Sequence, residues 1–431
     1  MNKFFKITFF SLVGFVITIN SFAQLSIKAE LRPRTEFRNG YKALNDSVND
    51  PAFFVSQRTR IIFNYSDKKF KIGISLQDIR VWGDFTSYSS TGVFGNRAST
   101  YLNQAWLELF LNKYSSLTIG RQYLIYDDQR LLAERNWNQN SLSYDALVYK
   151  FNKNTFLFDL GFSLNNQKEN VFGNDYPPNI IKTLNFLYLK KQFSKLSVSV
   201  LGIASGYQKD GTAETIYLRA TTGSYLEYKT ENLFVSASGY YQFGKNKTGM
   251  DVSAYLLSAN AKYIIGKFKL GAGIDVISGK NELKKDSSYI SKDQMFSVLY
   301  GGRHRFYGNM DYFSNLPVAT SGGGLVDIFA TLNYKLTSTT VLGAAYHFFA
   351  LQNNVIDQTY TGQDTKALKK SLGSELDFNF SWTLSKVINL NGGYSFMLPS
   401  NSLEIIQGID PDKSNYSSWA WIMLTVKPKL F

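Results

Sequence analysis

The chemistry legible in this sequence is carried by closely spaced arginines: Arg32-Pro33-Arg34, Arg58-Thr59-Arg60 and Arg303-His304-Arg305. A guanidinium is planar, permanently charged, and able to grip a carboxylate through two parallel hydrogen bonds. Successive side chains of a β-strand point to opposite faces. In the first two pairs, a spacing of two therefore puts both charges on one face. If their strands are neighbours, Arg32 and Arg34 lie across from Arg58 and Arg60, and like charges opposite one another destabilise a strand pair. Glu30 and Glu36 relieve part of that repulsion, and an anion in contact with the cluster would relieve the rest. Basic clusters of this kind are how narrow pores select anions. The plainer reading makes each arginine a solvated member of an ion ladder worth ~0–1 kcal/mol. The cluster as a whole favours a selectivity role.

Other charged blocks recur. They include Gln77-Asp78-Ile79-Arg80, Gly120-Arg121-Gln122, Asp127-Asp128-Gln129-Arg130 and Tyr144-Asp145. Met310-Asp311-Tyr312 and Glu375-Leu376-Asp377 complete the set. Arg32, Arg34, Arg58, Arg60, Arg80, Arg121, Arg130, Asp145, Arg303, His304, Arg305, Asp311, Glu375 and Asp377 are the expected pore-lining or substrate-contacting residues. Catalysis needs a nucleophile beside a base or a poised acid–base pair. The only histidines are His304, flanked by arginines, and His347, in mid-strand. No catalytic residue, metal site or cofactor is expected, nor any nucleic-acid partner.

The elements that must position these charges are long amphipathic ribbons. In Leu25–Arg38, Leu25, Ile27, Ala29, Leu31 and Phe37 share one parity, while Lys28, Glu30, Arg32, Arg34 and Glu36 share the other. Soluble strands usually run ~5–6 residues, and this alternation persists about twice as far. The pattern returns in Phe156–Asn165, in Leu325–Leu336 and in Lys370–Leu384, where Leu372, Leu376, Phe378, Phe380 and Trp382 read as outward and Glu375 and Asp377 as inward. Connections alternate between tight turns and long polar loops. Counting ribbons gives nine rising and nine falling strands, eighteen in all, with residues 279–324 as one long excursion on the outer side or folded into the lumen. In Phe70–Trp82, Asp78 and Arg80 continue the apolar parity of Ile72, Ile74 and Leu76, which a bulge near Gln77 or emergence from the membrane would explain.

Composition agrees. Residues 1–23 carry Lys3 and Lys6, a short apolar run and Ser21-Phe22-Ala23, the layout of a cleaved secretory signal peptide. Without them the chain keeps 45 basic and 33 acidic side chains, a net charge of +12. Cysteine is absent, and 16% of residues are aromatic, with 34 Phe and 28 Tyr. The fold class expected is all-β: residues 24–431 form one antiparallel up-and-down transmembrane β-barrel in the outer membrane, with short periplasmic turns and long outer loops. A barrel of ~16–18 strands is wide enough for an aqueous channel.

In their order and spacing, the blocks Arg32-Pro33-Arg34, Gln57-Arg58-Thr59-Arg60, Gln77-Asp78-Ile79-Arg80, Gly120-Arg121-Gln122, Ser143-Tyr144-Asp145, Gly302-Arg303-His304-Arg305 and Gly373-Ser374-Glu375 resemble the alginate export family of outer-membrane barrels. The resemblance implies an 18-stranded barrel with an arginine-lined conduit that passes an anionic polysaccharide. The partners expected are outer-membrane lipid, the insertion machinery, the anionic polymer or another anionic solute, and periplasmic export proteins. A nutrient-uptake porin and a structural or adhesive barrel with a blocked lumen are the alternatives. Reversing Arg58 and Arg60 to Glu is expected to move selectivity toward cations without abolishing folding.

Overall fold

The computed structural model describes residues 24–84, 100–209 and 215–431. The expected signal peptide and most of the loop at 83–98 lie outside the described residues.

The ribbons form eighteen antiparallel strands in one sheet. The first six are β1 (Gln24–Asn39), β2 (Ala52–Ser66), β3 (Phe70–Val81), β4 (Thr100–Phe110), β5 (Ser115–Gln122) and β6 (Tyr144–Lys153). Then follow β7 (Phe156–Leu164), β8 (Thr183–Phe193), β9 (Leu196–Gln208), β10 (Ile216–Lys229), β11 (Leu233–Gly244) and β12 (Ala254–Ile265). The last are β13 (Phe268–Ile277), β14 (Leu325–Lys335), β15 (Thr340–Leu351), β16 (Ser371–Thr383), β17 (Ile388–Pro399) and β18 (Ser417–Val426). Each pairs with its chain neighbours, and β1 pairs with both β2 and β18, so the sheet closes without an edge. Closure satisfies every backbone group where no water is present to do so.

Outward parity is apolar and exposed. Leu31 (41%), Leu187 (39%), Leu257 (52%), Ile328 (48%), Phe378 (46%) and Ile422 (55%) all leave the wall on that face. A contiguous apolar belt of this kind needs a bilayer against it, because soluble surfaces rarely expose more than a few hundred Å². Tight turns close one end; between β12 and β13, Gly266 (φ 57) and Lys267 reverse the chain. In Asp67-Lys68-Lys69 the Asp67 carboxylate accepts the Lys69 N–H at 3.1 Å.

At the opposite end two long connections turn inward. Residues 123–143 bury Leu131, Leu132 and Ala133, and residues 278–324 bury Phe296, Met310, Phe313 and Leu316. The excursion at 279–324 therefore takes the second of its two expected courses, into the lumen. The segments lie side by side: Tyr300 N–H donates to Leu131 O at 3.1 Å, Gly302 N–H to Gln129 O at 2.8 Å, and Arg135 Nε to Gly301 O at 2.8 Å. Tyr123 to Tyr126, just past the end of β5 at Gln122, belong to the first of these segments.

Two local findings revise the expected parity. A register shift at Phe349/Ala350, opposite Gly373 (φ 116), turns Leu372 inward, where it is fully buried instead of facing lipid. The irregularity between β3 and β4 places the extra residue, Asn103, on β4. The parity of β3 is thus unbroken, and Asp78 and Arg80 lie on its outward face near the long-loop end, as emergence from the membrane requires.

Candidate functional site

The basic pairs sit on β1 and β2 as the alternation demands, and Arg32 is directly opposite Arg58. All four arginines are nearly or fully buried, from 0% exposed at Arg58 to 6% at Arg34. Their like charge is relieved from inside the protein. Arg58 pairs with Glu30, and Arg34 Nε donates to Glu36 at 2.8 Å. The remaining N–H groups meet the backbone of the first inward segment. Arg32 donates to Asn136 O at 2.7 Å and Asn138 O at 3.1 Å, Arg34 to Trp137 O at 3.0 Å, and Arg58 to Gln139 O at 3.2 Å. Arg60 reaches Ser141 Oγ at 2.8 Å and Gln77 Oε1 at 2.6 Å. Peptide carbonyls, not a solute, take the place that the sequence reading left for an anion.

The opposite charge gathers on β13, β14 and β16, where Asp275, Asp327, Glu375 and Asp377 are at most 1% exposed. His347 on β15 lies among them, its Nδ1 2.9 Å from Asp327 Oδ1 and its Nε2 3.9 Å from Asp377 Oδ2. The second inward segment meets this wall with a donor: Met310 N–H donates to Glu375 Oε1 at 2.8 Å. The first supplies Arg130, whose two Nη atoms lie 3.0 and 2.7 Å from Asp275 and whose Nε lies 2.9 Å from Asp128. Burial opposes the charge on Arg130, but Asp275, Tyr307 and Asp128 hold its guanidinium pKa above the ordinary value. Burial pushes the Asp127 and Asp128 carboxyls above their usual range.

Between the inward segments lies a cavity of about 480 Å³ bearing Lys42, Arg135, Arg303 and Arg305 against Glu134 and Asp311. Asp311 is engaged by His304 Nδ1 at 2.8 Å and Tyr41 Oη at 2.5 Å. Burial raises its pKa, yet His304 and that hydrogen bond hold it below the usual carboxylate range. Trp137 stacks on His304 at 4.2 Å between centroids, with the Arg34 guanidinium 4.5 Å from its ring centre. These contacts clamp one segment on the other. Arg303 and Arg305 are exposed and make no hydrogen bond or ion pair with another side chain among the described residues. Burial lowers the Arg135 pKa to about 10, with Arg303 adding to the effect, which leaves it charged at neutral pH. Free guanidinium groups in a concave, partly shielded site suit a carboxylate.

The sequence-derived residues therefore separate into groups. Arg32, Arg34, Arg58 and Arg60 form one buried cluster, and Glu375 and Asp377 belong to the acidic wall. Arg130 bridges the first segment to that wall. Arg303, His304, Arg305 and Asp311 line the cavity. Arg121 and Asp145 are a correction: they share the outward parity of Ile119 and Leu147, lie opposite each other, and pair at 2.7 Å with side chains 44% and 57% exposed. Arg80 is a second correction, since it faces outward beside Asp78 at 2.7 Å. Both misplacements arise because strand ends beyond the lipid tolerate charge on either face. Lys42, Arg135 and Trp137 are site residues that the sequence reading missed. For Arg135 and Trp137 the one signal was a long loop, 127–141, carrying Arg and Trp where polar residues would suffice; Lys42, in the connection after β1, carried none.

Comparison with known proteins agrees with this architecture. Residues 23–169, about a third of the chain, match the family described as alginate export. No curated protein matches. Among solved structures, OpdL of Pseudomonas aeruginosa superposes with a TM-score of 0.61 at 11% identity, covering 95% of this chain and 99% of its own. OpdK of Pseudomonas aeruginosa, solved with vanillate, gives 0.57 at 10% identity over 94% and 98%. OccAB4 of Acinetobacter baumannii gives 0.57 at 12% identity over 94% and 98%. At these identities the likeness is one of fold: a closed 18-stranded outer-membrane barrel.

Proposed function

We propose that this protein is an outer-membrane channel that passes anionic solutes, with carboxylate-bearing sugars such as alginate-like polysaccharide or its oligosaccharides as the substrate class. The observation that carries the reading is the cavity between the inward segments, where Arg303 and Arg305, unpaired among the described residues, stand beside Arg135 and Lys42. The wall arginines supply a supporting frame, and the loop arginines supply the contacts. The family match over the stretch that includes the first inward segment supports a polyuronate. A cavity of about 480 Å³ is also of ordinary small-ligand size. With vanillate, an aromatic carboxylate, named for OpdK, it supports small carboxylates as the second reading.

Planar-bilayer recording in a salt gradient tests the function. The wild type should show a reversal potential on the anion side, and Arg303→Glu/Arg305→Glu should move it toward cations. Absence of conductance, or a reversal potential indifferent to these two residues, would sink the proposal. Current block by oligouronates of increasing length, set against block by vanillate, separates the two substrate readings.

A further inference from the structure

A second cavity, of about 690 Å³, opens at the long-loop end and shares no lining residue with the first. It lies between the ends of β9 to β11 and other stretches of the second inward segment. Lys247, Lys280 and Lys292 line it, all exposed, and none has a side-chain hydrogen bond or ion pair among the described residues. The acid on its rim, Asp293, is already held by Arg219 at 2.7 Å and by Asn246 at 3.0 Å. Its apolar lining includes Met250, Ile290 and Val318, three exposed side chains within a cationic hollow.

We infer that this cavity is an outer capture site for anionic oligosaccharides, with the three lysines taking the acid groups and the apolar patch taking a sugar-ring face. The inference deepens the channel reading and rests on it for the substrate class. Lysine suits such a site, because a mobile point charge accepts acid groups in many geometries whereas the arginine fork selects one. A lysine cluster at a rim, with no partner among the described residues, also concentrates anions before they enter the pore.

The test is calorimetric titration of the full-length barrel in detergent, in an Arg303→Gln/Arg305→Gln background that weakens the inner cavity. Triguluronate should bind, maltotriose should not, and added salt should weaken binding. Adding Lys247→Gln, Lys280→Gln and Lys292→Gln should lower affinity about tenfold or more, since each exposed pair contributes little alone. Equal triguluronate binding by this variant, with its barrel shown to be folded by heat-dependent gel mobility, overturns the inference, as does equal binding of maltotriose. A barrel that conducts nothing yet binds triguluronate through the lysines fails the channel reading alone. An anion-selective barrel indifferent to the lysines fails the capture site alone.

Discussion

The two charged walls of the lumen hold their charges by opposite means. On β1 and β2, arginines are ringed by acceptors: Glu30, Glu36 and the carbonyl oxygens of residues 136–139. On β13 to β16, carboxylates meet Arg130, His347 and the Met310 amide. The first wall is the better satisfied. On the second, Glu375 Oε2 and Asp377 Oδ1 are buried with no hydrogen-bond partner among the described residues. The contrast follows from the groups themselves. A guanidinium spreads five donors over a plane and is readily met by a run of carbonyls, whereas two carboxylates on one strand face repel and compete for the same donors. The basic wall is therefore an anchor for a loop, and the acidic wall holds charge in reserve.

Breaking the anchor should have the largest effect. Arg58→Met strands Glu30, whose other cation is Lys427 at 3.2 Å, and leaves the carbonyls of 138 and 139 short of a donor. Removing one partner of a buried pair typically costs ~3–5 kcal/mol, and that loss is expected in denaturant unfolding of the barrel in lipid vesicles. Release of residues 134–141 should also raise single-channel conductance. An unfolding midpoint within error of the wild type would show that the carbonyl cage does not hold the segment. Charge reversal at Arg58 and Arg60, which the sequence suggested as a clean test of selectivity, would bring two carboxylates against carbonyl oxygens, so its effect on folding would mask its effect on ions.

The acidic wall should respond with the opposite sign. Glu375→Gln keeps the oxygen that accepts Met310 N–H and removes one of two carboxyl groups that compete for the same donors, while its new amide can donate to Asp377. The expected change is a gain of about 0.5–1.5 kcal/mol, the net worth of one added hydrogen bond, read by the same unfolding assay. A loss as large as that of Arg58→Met would mean that the two walls are equally satisfied and that the comparison is wrong.

Most of the barrel was legible in advance, because a period of two sorts lipid from lumen locally and short turns alternate with long loops. The eighteen strands and the inward Glu30, Arg32, Arg58, Asp327 and Glu375 follow from parity alone. Leu372 was not legible: one bulge at Gly373 reverses a face, and nothing in an apolar residue signals it. The roles of the arginines were hidden more deeply. Arg32 meets Asn136 104 residues away, through a carbonyl that any residue would supply. Side-chain types therefore mark where charge lies, while backbone partners decide which charges stay free. For that reason Arg303 and Arg305, rather than the more conspicuous pairs on β1 and β2, face the cavity without a side-chain partner among the described residues.

Arg121 sets the lower limit of the comparison. It was grouped by sequence with the pore arginines, yet its strand parity, its exposure and its bidentate contacts with Asp145 at 2.9 and 2.7 Å place it on the outside of the wall. An exposed pair of this kind contributes ~0–1 kcal/mol, because water and salt screen it and two side chains must be ordered. Arg121→Gln should therefore shift unfolding by no more than that. Its reversal potential should match the wild type, since a charge beyond the low-dielectric wall acts on lumen ions only through a solvent-screened path. The prediction turns on position, not residue type: the same substitution at Arg303 removes an unpaired cavity charge and should move selectivity. A selectivity change at Arg121 as large as that at Arg303 would mean that parity fails to separate outside from inside at the long-loop end, and with it the assignment of Arg80.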